Sequence, residues 1–202
     1  MSQPITPPRD DRLGLQLSLG AAAVGAVATV VTTVRRLIDV APGHDIPVTV
    51  PLNGESVGLP IGPDGAAVTA TVDAATVIVA DPAPATLFAL WAQPIWTGLA
   101  VLAGLAIACV LFLRIARGTV FNGGASRLVY AAAVVVMVGW FGGSMLTNMT
   151  TNGALSAISD YTYDSTIFSL SLVPSVAVLV LGALGVALQI GERLQKDTEG
   201  LV

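Results

Sequence analysis

Four apolar stretches, about Leu13 to Val34, Ile95 to Leu113, Leu128 to Met149 and Ile167 to Ile190, limit what this chain can fold into more than any other feature. A helix rises about 1.5 Å per residue, so roughly 20 apolar residues cross a hydrocarbon core of ~30 Å, and each stretch is of about that length. The bilayer offers no water to an open backbone, which leaves helices as the way to span it. Only 11% of residues are charged and the mean hydropathy is +0.80, whereas about a quarter of the residues of a soluble domain are charged. The expectation is an all-α membrane protein built as a four-transmembrane-helix bundle. At 22 residues, the first stretch exceeds the ~7–15 of a secretory signal core. Thr33-Val34-Arg35-Arg36-Leu37 also lacks a small-residue cleavage site, so a retained helix is expected.

Orientation follows from the basic residues near the helix ends. With both termini cytoplasmic, the inside holds Arg9, Arg12, Arg114, Arg117, Arg127, Arg193 and Lys196, against Arg35 and Arg36 outside. The first helix alone is ambiguous; the loop from Arg114 to Arg127, with three arginines and no acid, decides. This divides the chain into a cytoplasmic N-terminal tail (1–12), transmembrane segments at 13–34, 95–113, 128–149 and 167–190, a cytoplasmic basic loop (114–127), outer segments at 39–84 and 150–166, and a cytoplasmic C-terminal tail (191–202). The outer segments carry Asp39, Asp45, Glu55, Asp64, Asp73, Asp81, Asp160 and Asp164. An acidic outer face argues against nucleic acid as a partner, because phosphate binding needs concentrated lysine and arginine.

Between the first two stretches the pattern changes to alternation. Ile46, Val48, Val50 and Leu52 point one way and Pro47, Thr49 and Pro51 the other, the period of a strand. Val57, Leu59 and Ile61 repeat it, as do Val68, Ala70 and Val72, and Thr76 to Ala80 forms a fourth run. Asn53-Gly54, Pro63-Asp64-Gly65 and Asp81-Pro82 supply turn chemistry between the runs. The expectation is a small extracytoplasmic β-meander in residues 39–84, with Pro47, Pro51 and Pro60 confining the first two strands to edges or irregular pairing. About 45 residues without a disulfide bury too little to stand alone, so the meander leans on the outer helix ends, the second outer loop or a symmetry mate. Pro94 is expected in the first turn of the second helix, with Trp91 and Trp96 anchoring its outer end at the interface.

The chemical inventory is short. His44, with Asp39 and Asp45 near it, is the only histidine, and the single Cys109 lies inside an apolar stretch, so neither a zinc set nor a disulfide can be assembled. There is no G-x-S-x-G elbow, Walker loop or H-E-x-x-H, and Gly123-Gly124 lacks the strand that precedes phosphate-cradling glycines. No enzyme activity, cofactor or metal is expected. Asn148-Met149-Thr150 matches a glycosylation sequon but has no other support in the sequence. The spanning stretches hold no Asp, Glu, Lys, Arg or His, the groups that mark ion and proton pathways. Small residues recur instead at helix-contact spacing: Ala21 and Gly25, Ala100, Gly104 and Ala108, Gly139 and Gly143, Ala183 and Ala187.

Two regions remain as candidate interaction sites. On the cytoplasmic side, Arg114, Arg117, Phe121 and Arg127 form a basic, aromatic-bearing loop that can dock a protein or an anionic headgroup; Arg117-Gly118 reads as a helix C-cap. On the outer side, Asp160, Tyr161, Tyr163 and Asp164 form a patch that can contact a ligand, or whose tyrosines simply anchor a helix end. In the tail, Glu192 and Lys196 stand four residues apart as a solvated pair.

The loop from Arg114 to Phe121 before Arg127-Leu128, together with the tail Glu192-Arg193-Leu194 through Asp197, Glu199, Gly200, Leu201 and Val202, resembles a family of bacterial four-helix membrane proteins known only as a domain of unknown function. The resemblance covers the whole topology, although Val120 stands where that family typically carries a proline. It implies the four-helix fold and a bacterial plasma-membrane location and no particular activity; that members are often encoded beside small helix-turn-helix regulators hints at signalling, with a regulator or an anionic lipid as the cytoplasmic partner. The expected function is a non-enzymatic interaction, sensory or regulatory component of the membrane, with lipid bilayer, a cytoplasmic partner and a homo-oligomer as its partners. The alternative is a small-solute transporter or channel component, with a polar path along Thr29, Thr32, Ser171 and Ser175.

Overall fold

The computed structural model describes residues 9–117, 124–160, 162, 168 and 170–199. Its order is α1 (Arg9–Val40), β1 (Ile46–Leu59), a 3-10 turn (Pro63–Gly65), β2 (Val68–Val79), α2 (Pro84–Ala116), α3 (Ala125–Ile158) and α4 (Val173–Glu199). All four helices are long and apolar enough to cross a membrane. Their apolar side chains stay largely uncovered within the chain: Leu17, Leu99, Val134 and Leu179 are 59–73% exposed. Uncovered apolar surface on this scale is tolerable against lipid and not against water.

Helices α1, α2 and α3 have 32, 33 and 34 residues. At 1.5 Å per residue that is about 50 Å, well over the ~30 Å hydrocarbon core. The excess has a use. The chain divides into two compact units, one of Met1–Val34, Ile95–Gly143 and Ser171–Val202, the other of Arg35–Pro94 and Ser144–Leu170. The last turns of α1, the first turns of α2 and the last turns of α3 therefore belong to the second unit, together with the strands. Pro94 is not in a first turn, as the sequence suggests, but well inside α2. It cannot donate to the carbonyl of Leu90 four residues back, and the division between the units falls immediately after it.

Local chemistry explains the helix ends. After α1, Ala41-Pro42-Gly43 stops the helix: Pro42 has no N–H, and Gly43 takes φ +76° while donating to the Val40 carbonyl at 2.9 Å. Helix α2 opens on Pro84, whose fixed φ suits a first turn. Helix α3 continues past the apolar boundary at Met149 to Ile158, where Asp160 adopts a left-handed φ of +49°. Helix α4 opens at Val173 rather than Ile167, with Ser171 Oγ accepting the Val173 N–H at 3.4 Å.

In the first unit, close approach depends on glycine. A Cβ on Gly139 would sit 2.5 Å from Ala100 Cβ, and one on Gly98 would sit 2.7 Å from Thr33 Oγ1. Gly142 lies against the Trp96 indole and Gly185 against the Tyr130 ring. Gly25 faces Leu105, and Gly143 faces Thr97, whereas Gly104 has no neighbour within 4 Å. Gly139 and Gly143 thus lie at close approaches between α2 and α3 of the same chain.

In the second unit, the four expected β runs are two long strands. β1 and β2 pair antiparallel from Ile46↔Val79 to Leu59↔Val68, with a register break between Pro51 and Glu55. Asn53-Gly54 is not a turn between strands but the break itself, with Gly54 at φ +81°; Pro63-Asp64-Gly65 is the hairpin tip. Both strands are edges, which is how Pro47 and Pro51 are accommodated. The hairpin does lean on helix ends: Ile46, Val48, Val50 and Val79, all at most 3% exposed, pack with Val40 of α1, Leu90 of α2, and Ala154 and Leu155 of α3.

Candidate functional site

The basic region lies in the first unit. Arg114 stands in the last turn of α2, where a cation complements the helix dipole. It is half-buried, its Nη1 3.4 Å from where a Cβ on Gly124 would be. Arg117, in the turn after α2, and Arg127, in the first turn of α3, are exposed. Phe121 lies outside the described residues. Arg127 sits at the positive end of its helix dipole, a placement that needs a nearby anion.

The anion comes from α4. Glu192 Oε1 accepts the Ser126 backbone N–H at 3.1 Å and Glu192 Oε2 accepts the Ser126 hydroxyl at 3.0 Å. Donation from the Ser126 backbone N–H above all holds the Glu192 carboxyl below the usual carboxylate range. This carboxylate serves as an N-cap for α3 although it is 66 residues away in sequence. The sequence instead suggests a solvated pair between Glu192 and Lys196. The difference arises because Ser126, only 6% exposed, brings first-turn N–H donors that water does not reach freely, and these bind a carboxylate more strongly than a surface lysine does.

The outer candidate patch is only partly described. Tyr161, Tyr163 and Asp164 lie outside the described residues. Asp160 is exposed and shapes the end of α3: the Thr162 N–H and hydroxyl both reach back to the Ser159 carbonyl, at 3.0 and 2.5 Å. His44 Nδ1 lies 3.1 Å from Asp45 Oδ2, with both side chains about two-thirds exposed. Among the described residues no three His, Cys, Asp or Glu side chains group to hold a metal ion.

A polar seam in the second unit is not apparent from the sequence. Gln93 Nε2 donates to Thr147 Oγ1 at 3.4 Å, Thr150 Oγ1 to the Thr147 carbonyl at 2.8 Å, and Asn152 Nδ2 to the Asn148 carbonyl at 2.9 Å. Thr86, Asn148, Thr150 and Thr151 are buried, and Thr86 packs directly on Gly153. Asn148 is only 8% exposed and within α3, so the sequon is inaccessible in the folded chain. The Asn148-x-x-Thr151-Asn152-x-x-Leu155 spacing was the available signal, a helical stripe of mixed polarity.

The hydroxyls proposed for a solute path serve their own helices. Thr29 Oγ1 donates to the Gly25 carbonyl at 2.8 Å, Thr32 Oγ1 to the Ala28 carbonyl at 2.9 Å and Ser175 Oγ to the Leu172 carbonyl at 2.5 Å. The groove between α2 and α3, about 290 Å³, is lined by apolar side chains including Trp96, Leu99, Val134 and Val138. No family model, curated protein or solved structure matches this chain.

Proposed function

We propose that this chain is a non-enzymatic, multi-pass membrane protein acting as an interaction or regulatory component, with the β-hairpin unit outside and both termini in the cytoplasm of a bacterial cell. The observation that supports it is the single apolar core joining the hairpin to α1, α2 and α3 through Val40, Leu90, Ala154 and Leu155. A partner that grips the hairpin acts on three helices at once. The basic residues Arg114, Arg117 and Arg127 gather around one set of helix ends and suit a cytoplasmic protein or an anionic headgroup. The resemblance of the loop and tail to the bacterial four-helix family favours a small regulator as that protein.

Two measurements test this reading. In a Cys109→Ala background, a cysteine at Ser56 should react with a membrane-impermeant maleimide on intact cells, and one at Arg117 only after permeabilisation; the reverse pattern would overturn the topology. Affinity purification from solubilised membranes should recover a protein that is lost when Arg114, Arg117 and Arg127 are replaced together by glutamine. Recovery unchanged by those substitutions would refute the docking role.

A further inference from the structure

The apolar residues of the hairpin change face along its length, although the register break itself keeps the alternation in phase. On the face toward the core, the pairs near the hairpin base are Ile46↔Val79, Val48↔Val77 and Val50↔Ala75. Beyond the break at Pro51 and Glu55 the same face carries Ser56↔Thr71 and Gly58↔Thr69, and the aliphatic pairs Val57↔Ala70 and Leu59↔Val68 lie on the opposite face, next to Val72. Strands with one buried face ordinarily hold apolar residues on that face throughout. Here the apolar strip crosses to the other face. Val57 and Val68 are 38% and 41% exposed there, Leu59, Ala70 and Val72 are half-buried, and Ile61 just past β1 is 68% exposed.

We infer that this distal strip is a docking face for a short, extended, basic polypeptide segment in which aliphatic residues alternate with lysine or arginine. The inference rests on the reading of the β unit as an interaction module and names its partner's chemistry. Charge selects the occupant. Residues 46–79 contain Glu55, Asp64 and Asp73 and no lysine, arginine or histidine. Two copies brought face to face would set like charges together, and an anionic membrane surface is likewise disfavoured. Size selects it too. Three rungs of a ladder cover about 14 Å along the strands and two strands about 10 Å across, far below the ~800 Å² per partner of a stable domain interface. A segment in extended form places a side chain on one face every second residue, the spacing of Val57 and Leu59 and of Val68, Ala70 and Val72.

The test uses the full chain in phosphatidylcholine nanodiscs and three fluorescein-labelled decapeptides, alternating Val-Lys, Val-Glu and Ser-Lys, read by anisotropy against empty nanodiscs. The Val-Lys peptide should bind the native chain, while the Val-Glu and Ser-Lys peptides should not. Replacing Val57 and Val68 together by serine should weaken binding about tenfold; Thr71→Ser, on the other face, should leave it unchanged. Val57→Lys, a single change at an exposed site, should weaken it further at low salt than at high salt. Equal binding by native and substituted chains, or no binding, overturns the inference. So does a disulfide-linked dimer formed by Val57→Cys in a Cys109→Ser background, which assigns the face to a second copy, or binding to phosphatidylglycerol vesicles lost with the two valines. A purified native partner that is retained by the Val57→Ser, Val68→Ser chain sinks this site while leaving the interaction reading intact.

Discussion

The contact between Gly139 and Ala100 gives a sharp prediction, because exchanging the two residues across the interface should restore what each single change breaks. A Cβ on Gly139 would sit 2.5 Å from Ala100 Cβ but 3.9 Å from Ala100 Cα. The methyl–methyl overlap exceeds 1 Å and cannot be relieved by a rotamer, since neither side chain has one. Overpacking of this kind costs about 1–3 kcal/mol, while replacing a helical glycine by alanine returns up to about 1 kcal/mol. Gly139→Ala should therefore destabilise by about 1–2 kcal/mol. Ala100→Gly should cost about 1 kcal/mol in propensity and about half as much again in lost packing. In the double substitution the propensity terms cancel and the contact is re-formed with its partners exchanged, so the net change should be within about 0.5 kcal/mol of zero. The coupling is then about 2.5–3.5 kcal/mol, against the ~0.3–0.5 kcal/mol scatter of independent sites. Reversible unfolding in mixed micelles, followed by far-UV circular dichroism, measures all four corners of the cycle. Additive single effects would refute the α2–α3 packing described above.

Three further outcomes follow from particular contacts. Glu192→Ala removes the carboxylate that caps α3 and should cost about 1 kcal/mol after solvent screening, with faster amide exchange confined to residues 124–128; exchange unchanged there would show that Glu192 does not cap the helix. Trp140 Nε1 is buried without a hydrogen-bond partner among the described residues, so Trp140→Phe should be neutral or stabilising in the same unfolding assay; a loss above about 1 kcal/mol would mean the indole N–H is bonded. Leu155→Ala opens a cavity under the hairpin and should cost about 2–5 kcal/mol, read as faster proteolysis within residues 46–79. Unchanged proteolysis would mean that the hairpin is held by something other than the core around Val40, Leu90 and Leu155.

The four helices were legible because hydrocarbon imposes one answer on a long apolar run, but their true ends were not. Composition marks where the membrane stops, whereas a helix stops where its backbone finds another partner. Thus α3 continues nine residues past Met149, since Thr150, Thr151, Ala154 and Leu155 keep a helical stripe facing the second unit's core. Pro94 was misplaced for the related reason that a proline at an apolar boundary resembles a first-turn residue, and only the helical turns from Pro84 onward reveal it as internal. Among the small-residue pairs, spacing identified Gly25, Gly139 and Gly143 correctly as close to neighbouring side chains. It could not separate them from Gly104, which faces open space, because spacing fixes a residue's face but not what lies opposite.

The same distinction governs the candidate sites. Arg114, Arg117 and Arg127 were visible because charge asymmetry is a property of composition. Glu192 was not recognised as the cap of α3, because a contact across 66 residues leaves no local pattern, and its local neighbour Lys196 offered a plausible but weaker partner. The hairpin adds a third case. Val48 and Val57 stand nine residues apart, so alternation already assigns them to opposite faces, but period alone does not say which face is buried. The break between Pro51 and Glu55 leaves three residues on β1 against one on β2 and so keeps that parity; burial is what separates the two, Val48 in the core at 3% exposure and Val57 outside it at 38%. A hairpin needing only stability would keep all its valines on the face with Val48. The occupant inferred for the half-open strip is cationic because the strands and tip that carry it hold Glu55, Asp64 and Asp73 and no basic residue.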